Sequence, residues 1–246
     1  MKLHFLGTTV YHPNNLRQTA CLMLPEIGVI FDAGTGIFRS RDLIQTSELH
    51  IYLSHTHLDH VIGLTFLFDI LFEKDAKVKV HVAGEKIEAI EKHLMHPDLF
   101  PVSPAFEIVP FSGKPETLPD GSTISMFPLQ HPGGCTGFRV DWPNHSLAYV
   151  TDTIADENAD YIDKIRGVKT LVHECYFPDG YEAKAKLTGH SCLTPVVQVA
   201  SKAEVESLYL VHINPLDETG EKLDLNAARE IFAETHITHD QQTIDI

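Results

Sequence analysis

The chain has 246 residues, 43% of them hydrophobic, which suits one large α/β domain with a substantial core, and we predict a single domain over residues 1–246. Its formal net charge of −15 disfavours binding of long nucleic acids, because their affinity depends on Lys and Arg contacts with phosphates. No apolar run reaches the ~20 residues of a membrane-spanning helix, so we expect a cytoplasmic protein with no membrane partner.

The first half of the sequence alternates short apolar runs with turns that contain glycine or proline. Strands are predicted at residues 2–6, 20–24, 29–32, 49–53 and 78–82, the second and third of which form a hairpin. A helix is predicted from about residue 61. A second covers residues 85–94, where Ile87, Ile90 and Leu94 recur at three- and four-residue spacing.

The second half repeats this order, with strands first and helices afterwards. Strands are predicted near residues 106–110, 123–129, 138–140, 147–150, 170–175 and 208–211, and helices at residues 194–202 and 226–233. This order indicates an α/β (α+β) protein in which two sheets pack face to face with helices outside. The apolar stripe at residues 61–72 is predicted to be buried in the core, with a homodimer interface as the second interpretation. Cys21, Cys135, Cys175 and Cys192 show no paired spacing and are predicted to be buried, inert thiols.

One short block, His55-Thr56-His57-Leu58-Asp59-His60, follows the strand at residues 49–53 directly. Its three imidazoles and one carboxylate are more ligands than one four-coordinate zinc ion takes from a single short loop. The block therefore indicates two metal ions that share a site.

Three further ligands follow predicted strands at a distance from this block. They are His131, Asp152 and His212. A single histidine at a strand end is usually a surface residue, but together with the block these residues make a set of seven metal ligands. An apolar strand that ends in a polar side chain is a rigid way to build such a site.

The order of these residues resembles that of the metallo-β-lactamase superfamily, and within it the ribonuclease Z-like branch. The block from His55 to His60 and the three later ligands carry the first resemblance. The markers of the branch are residues 5–9, 31–36, 54–57, Glu174 and residues 189–191. The resemblance covers residues 2 to about 215.

The resemblance implies a four-layer αββα sandwich, the metallo-β-lactamase fold, with two Zn²⁺ as cofactors. It assigns His55, His57 and His131 to one zinc ion, and Asp59, His60 and His212 to the other, with Asp152 bridging them. This ligand chemistry suits zinc and also permits Mn²⁺ or Fe. We expect Asp32 to accept a hydrogen bond from a ligand histidine.

Similar bacterial tRNA-processing enzymes carry a long arm between the positions of His131 and Asp152. Here residues 132–151 suffice only for a turn and two strands, so the arm is missing from that place. In this respect the chain is similar to the small phosphodiesterases of the branch, such as the phosphoribosyl cyclic phosphodiesterases. Those carry an additional zinc bound largely by cysteines near the N-terminus, which Cys21 alone cannot supply.

The resemblance implies a hydrolytic mechanism. Metal-bound hydroxide, oriented by Asp59, attacks phosphorus, and His190 protonates the leaving group while Glu174 orients His190. Three alternatives remain open: His190 caps the helix that begins near residue 191, His190 is only exposed, or His173 points inward instead of Glu174.

We therefore predict a metal-dependent hydrolase, a phosphodiesterase whose substrate is a small-molecule or nucleotide-like ester, with an RNA end also open. Another ester class (lactone, thioester or sulfate ester) is the first alternative, because one fold hosts many chemistries. The second alternative is a metal-binding accessory protein of cofactor biosynthesis.

Overall fold

The computed structural model describes residues 1–246, which form two compact units, each built on a seven-stranded sheet. Unit 1 comprises Met1–Pro13, Arg17–Gly113 and Asp240–Asp245. Unit 2 comprises Asn14–Leu16, Lys114–His239 and Ile246. The chain passes from one unit to the other more than once, and the single domain stays a prediction.

Unit 1 contains the five strands predicted for the first half of the sequence and two further strands. One is at residues 107–110, which was wrongly predicted to begin the second half, and the other comes from near residue 246. Its sheet has the order β14-β1-β2-β3-β4-β5-β6. The strands are β1 Lys2–Gly7, β2 Cys21–Leu24, β3 Val29–Phe31, β4 Glu48–Tyr52, β5 Lys77–Val82, β6 Glu107–Pro110 and β14 Thr243–Asp245. The predicted hairpin is confirmed, since β2 and β3 pair antiparallel, and β3 to β6 run parallel to one another.

The helical segments of unit 1 are short and irregular. They are α1 Leu58–Val61 and α2 Leu67–Ile70, the 3-10 segments Pro25–Ile27, Thr35–Leu43, Ile62–Phe66 and Gly84–Lys86, and a π-helix at Ala89–Leu94. The helix predicted from residue 61 is thus interrupted by a 3-10 segment. The prediction that the whole apolar stripe is buried in the core was wrong. Val61 and Leu67 lie in the core, whereas Phe68 and Phe72 are each 60% exposed. The reason is geometric, because a helical segment presents only one side to the sheet beneath it.

Unit 2 is built on the second sheet, with the order β13-β12-β11-β10-β9-β8-β7. The strands are β7 Glu116–Thr117, β8 Thr123–Leu129, β9 Cys135–Asp141, β10 Ser146–Val150, β11 Thr170–Glu174, β12 Ser207–Val211 and β13 Thr235–Ile237. The helices are α3 Ile162–Ile165, α4 Glu182–Thr188, α5 Leu193–Lys202 and α6 Leu225–Ile231. The helices predicted near α5 and α6 are confirmed.

Strand direction in unit 2 determines where the predicted site residues emerge. β10, β11 and β12 pair parallel, with Val150 opposite His173 and Glu174 opposite Val211. β8 and β10 both pair antiparallel with β9, so β8 also runs in this direction. The carboxyl ends of the four strands therefore meet at one edge of the sheet. The stretch between β8 and residue 152 holds a turn and two strands, β9 and β10, as expected.

Two further expectations concern the whole chain. All four cysteines are buried free thiols, as predicted. None of the helices is both long enough and apolar enough to cross a bilayer.

Candidate functional site

In unit 1, Asp32 organises the histidine block. It follows β3 directly, and its N–H donates to the Tyr52 carbonyl at 3.0 Å, so the residue lies beside the end of β4. Its carboxylate is fully buried and accepts hydrogen bonds from the Ser54 N–H at 2.8 Å, the Ser54 hydroxyl at 2.9 Å and His60 Nδ1 at 2.8 Å. The expectation that Asp32 bonds a histidine of the block is confirmed.

These hydrogen bonds fix which ring nitrogens carry protons. Because a carboxylate only accepts, His60 Nδ1 carries the hydrogen, and in the neutral ring Nε2 keeps the lone pair. The Ser54 hydroxyl donates to Asp32, so its oxygen is free to accept from His55 Nδ1 at 3.0 Å. Both histidines thus have an Nε2 lone pair, the form in which imidazole binds a metal ion.

The unit 1 ligand set, defined as His55, His57, Asp59 and His60, is brought together in the structure. The His55 ring lies 4.4 Å from the His57 ring and 4.3 Å from the His60 ring, between centroids. Asp59 Oδ2 lies 3.5 Å from His60 Nε2 and accepts a hydrogen bond from the Tyr11 N–H at 2.8 Å. The set is therefore a cluster of imidazole and carboxylate groups that could bind a metal ion, at the end of β4.

Gly34 allows this loop to approach closely. A Cβ atom at this position would lie 2.2 Å from the Asp59 carbonyl oxygen and 2.5 Å from Thr19 Oγ1. No side chain fits at such distances, so the residues that carry Asp59 pack directly on the glycine backbone.

In unit 2, Asp152 lies between two histidines. Its Oδ2 is 3.3 Å from His131 Nε2, and its Oδ1 is 3.0 Å from His212 Nε2. His131 Nδ1 donates to the Gly189 carbonyl at 2.9 Å, so its Nε2 also keeps the lone pair. We call His131, Asp152 and His212 the unit 2 ligand set.

The donor chemistry of this set fits a divalent cation. A carboxylate oxygen and an imidazole lone pair repel each other at 3.3 Å unless a proton or a cation is shared between them. Asp152 faces one imidazole with each of its two oxygens. The histidine and aspartate clusters thus support divalent metal binding.

Backbone conformation is unusual at three of these positions. Asp32, Asp152 and His212 have φ values of 58°, 42° and 62°, in the left-handed region. Such a conformation costs of order 1–3 kcal/mol for a residue other than glycine. Each of the three follows a strand end, where the turn redirects the side chain toward the edge of the sheet.

His190 and Glu174 form the next contact in unit 2. His190 Nδ1 lies 3.2 Å from Glu174 Oε1, and that fully buried carboxylate also accepts hydrogen bonds from the Thr153 N–H at 2.9 Å and the Ser191 N–H at 3.3 Å. Ligand atoms of Asp152, His190 and His212 all lie within 4.8 Å of one another. The imidazole of His190 therefore stands beside the unit 2 ligand set.

The alternative readings of these residues do not agree with the structure, because the His190 side chain is only 13% exposed and Glu174, not His173, contacts it. The N-cap residue of α5 is Cys192, and the Thr194 N–H in its first turn donates to Asp179 at 2.9 Å and not to His190. His173 is fully buried, donates from Nδ1 to the Glu174 carbonyl at 2.7 Å and accepts at Nε2 from the Tyr161 hydroxyl at 2.9 Å. Burial lowers the pKa of His173, which is consistent with a neutral structural ring.

Four contacts at the site were not anticipated from the sequence. They are the Ser54 hydroxyl, the Tyr11 N–H, the Gly189 carbonyl and the ring of Tyr176, whose centroid lies 5.1 Å from that of His190. The first directly precedes the histidine block. The next two are backbone groups, whose contacts no side-chain pattern reveals.

Comparison with known proteins identifies the family. The family model described as a beta-lactamase superfamily domain matches residues 28–213. The chain therefore belongs to the beta-lactamase superfamily. The prediction of a ribonuclease Z-like member of that superfamily, and of a metal-dependent hydrolase, is confirmed.

Individual relatives agree over nearly the whole length. The chain is 25% identical to ribonuclease Z of Metallosphaera sedula, with 100% of this chain and 99% of that protein covered. Among solved structures it is similar to the metallo-beta-lactamase fold protein YhfI of Bacillus subtilis (18% identity, TM-score 0.79, 99% of each chain). It is also similar to the short form of human tRNase Z (19% identity, TM-score 0.77, 100% of this chain and 99% of that chain). The predicted αββα, metallo-β-lactamase fold class is thereby confirmed.

Proposed function

We propose that the chain is a phosphodiesterase acting on a small or cyclic nucleotide-like ester, or on an RNA end. The observation that carries this proposal is the His190–Glu174 pair beside Asp152 and His212. A histidine held by a buried carboxylate next to a metal-ligand cluster is suited to protonating an alkoxide leaving group, because its ordinary pKa lies near neutrality.

The proposal includes two divalent ions, with zinc as the first choice and Mn²⁺ or Fe as alternatives. His55, His57 and His131 would hold one ion, Asp59, His60 and His212 the other, and Asp152 both. The tautomers of His55, His60 and His131 support this assignment. Bound divalent ions of this kind supply Lewis-acid stabilisation of phosphoryl oxygens and lower the pKa of water toward ~7.

The side chains of the protein then have separate tasks. Asp59 orients the attacking water, and the Tyr11 N–H fixes one oxygen of its carboxylate. With Nδ1–H directed at Glu174, a protonated His190 carries its second proton on Nε2, from which it donates to the leaving oxygen. Glu174 keeps the ring in this orientation.

A small substrate is supported by what the chain lacks relative to its relatives. The alignment with the M. sedula ribonuclease Z extends over 295 residues, whereas this chain has 246, so the relative carries segments without a counterpart here. The turn and two strands between His131 and Asp152 leave no room there for an inserted arm. Together with a net charge of −15, this favours small esters over a whole tRNA.

Metal analysis combined with a substrate panel tests the proposal. The panel contains bis-p-nitrophenyl phosphate, a 2′,3′-cyclic nucleotide, a thioester and an aryl sulfate. We expect two equivalents of zinc and turnover of the phosphodiesters. If the protein turned over only the thioester or the sulfate, its substrate would belong to that ester class and not to the phosphodiesters. If it bound two zinc ions and turned over no ester, it would be a metal-binding accessory protein.

His190→Ala tests the proton donor separately. We expect kcat to fall by roughly 10²–10⁴-fold, the usual contribution of a positioned acid, with bound zinc unchanged. An equal loss of zinc and activity would show that His190 is a metal ligand instead.

A homodimer is the proposed assembly. Leu58, Phe68 and Phe72 of one segment are 66%, 60% and 60% exposed, and exposed apolar side chains favour self-association. Sedimentation of Phe68→Ser/Phe72→Ser against the unmodified protein tests this. If the unmodified protein and the double variant both sediment as monomers, the proposed homodimer is contradicted.

A further inference from the structure

Tyr11 occupies an unusual position for a large aromatic residue. Its side chain is 77% exposed, and its φ of 62° lies in the left-handed region. A bulky residue in that region is a conformational outlier, and this one recovers little from burial of its ring. Outliers of this kind cluster at functional sites, where the surrounding contacts hold them in place.

The contact that holds Tyr11 in place does not require a tyrosine. Its backbone N–H donates to Asp59 Oδ2 at 2.8 Å. Glycine or asparagine at position 11 would supply the same N–H and adopt the left-handed conformation more readily. The hydrogen bond to Asp59 therefore explains the backbone and leaves the ring unexplained.

The Tyr11 ring contacts a neighbouring aromatic ring. The His12 ring contacts it edge-on, with centroids 5.4 Å apart and an interplanar angle of 64°. His12 is fixed in turn, because its Nδ1 donates to the Pro13 carbonyl at 2.9 Å. An edge contact, together with the high exposure, leaves a ring face available to solvent.

We infer that the Tyr11 ring stacks on the nucleobase next to the scissile phosphate and so determines which esters bind well. This inference rests on the proposed function, in which Asp59 orients the attacking water. Because the N–H of Tyr11 bonds the Asp59 carboxylate, the ring belongs to the residue that borders the reacting group. An aromatic face accepts any base by stacking, so it selects base-containing esters over base-free ones.

The test compares two esters that differ only in the base: adenosine 2′,3′-cyclic phosphate and ribose 2′,3′-cyclic phosphate. Tyr11→Asn removes the ring and suits the left-handed backbone, so the bond to Asp59 persists. Tyr11→Phe retains the ring. Tyr181→Asn is the matched control, because Tyr181 is a 44% exposed tyrosine stacked on Phe177.

We expect Tyr11→Asn to raise KM for the adenosine ester by roughly tenfold or more, the effect of losing one base-stacking contact. The ratio of KM for the adenosine ester to KM for the ribose ester should therefore rise by the same factor relative to the unmodified protein. Tyr11→Phe should keep the KM ratio of the unmodified protein because it retains the ring, and Tyr181→Asn should behave as the unmodified protein does with both esters.

Two results would overturn the inference alone: an equal rise in KM for both esters, or no rise for either. An unmodified protein that cleaves bis-p-nitrophenyl phosphate but not the adenosine ester would also overturn it alone. If the unmodified protein cleaves no phosphodiester at all, the proposed function fails and the inference fails with it.

Discussion

Replacing Asp32 by asparagine should weaken metal binding without removing any metal ligand. The amide is nearly isosteric and tolerates the φ of 58° at this position. One amide oxygen can still accept from the Ser54 N–H, but the amide nitrogen then faces His60 Nδ1–H, donor against donor. The conflict is relieved if His60 moves its proton to Nε2, which removes the lone pair that a metal ion needs.

The size of the effect follows from the contacts that are lost. Changing a residue that orients a metal ligand typically costs 10–100-fold in metal affinity. The folded apo-protein also loses acceptor capacity for a fully buried donor, worth about 1–3 kcal/mol. We therefore expect a 10–100-fold larger zinc dissociation constant together with a moderately lower free energy of unfolding.

Competition with a fluorescent zinc chelator measures the affinity, and urea unfolding of the apo-protein measures the stability. Ser54→Ala is the matched control, since it removes the hydroxyl that connects His55 to Asp32 and keeps the Asp32–His60 bond. The zinc affinity of Ser54→Ala should fall less than that of Asp32→Asn. Unchanged zinc affinity in Asp32→Asn, despite reduced stability, would refute the argument that Asp32 selects the tautomer of His60.

Three further outcomes concern stability and packing. Because burial lowers the pKa of His173, the unfolded state binds the extra proton as pH falls below ~6.5. The free energy of unfolding should therefore be highest above that pH and should decrease as the pH falls toward the lower pKa that His173 has in the folded protein. The urea midpoint of His173→Gln should depend less on pH than that of the unmodified protein. Gly34→Ala would force its Cβ to within 2.2 Å of the Asp59 carbonyl oxygen, so zinc affinity by chelator competition should fall. Phe138→Ala, at a fully buried position, should cost about 3–5 kcal/mol in urea unfolding, and a loss below 1 kcal/mol would contradict its place in the core.

The strands and the histidine block were predictable because each depends on local signals. Apolar runs bounded by turn residues located β8 at residues 123–129, where the structure has it. The short strands β13 and β14 were missed, since their pairing partners are distant along the chain. Their residues are partly polar, and three residues carry too little periodicity to be recognised.

Side-chain pairs at the site were predictable only where a family pattern supplied them. The contact of His190 with Glu174 joins residues 16 positions apart, and no local periodicity indicates it. The exposure of Phe68 and Phe72 was not predictable from an apolar stripe, because composition alone does not say which side of a helix meets the sheet. Backbone groups such as the Tyr11 N–H lie outside any argument from residue types.

The pairing of β14 with β1 has a consequence for biosynthesis. β1 is made more than two hundred residues before its outer hydrogen-bonding partner, Thr243–Asp245. During translation the nascent chain therefore exposes an unpaired strand edge, which invites pairing with other chains. Asp240, which accepts hydrogen bonds from Thr8 and Gln18, arrives equally late, so the N-terminal loop acquires its anchor only then. Chaperone demand in the cell should consequently be greatest just before this stretch leaves the ribosome.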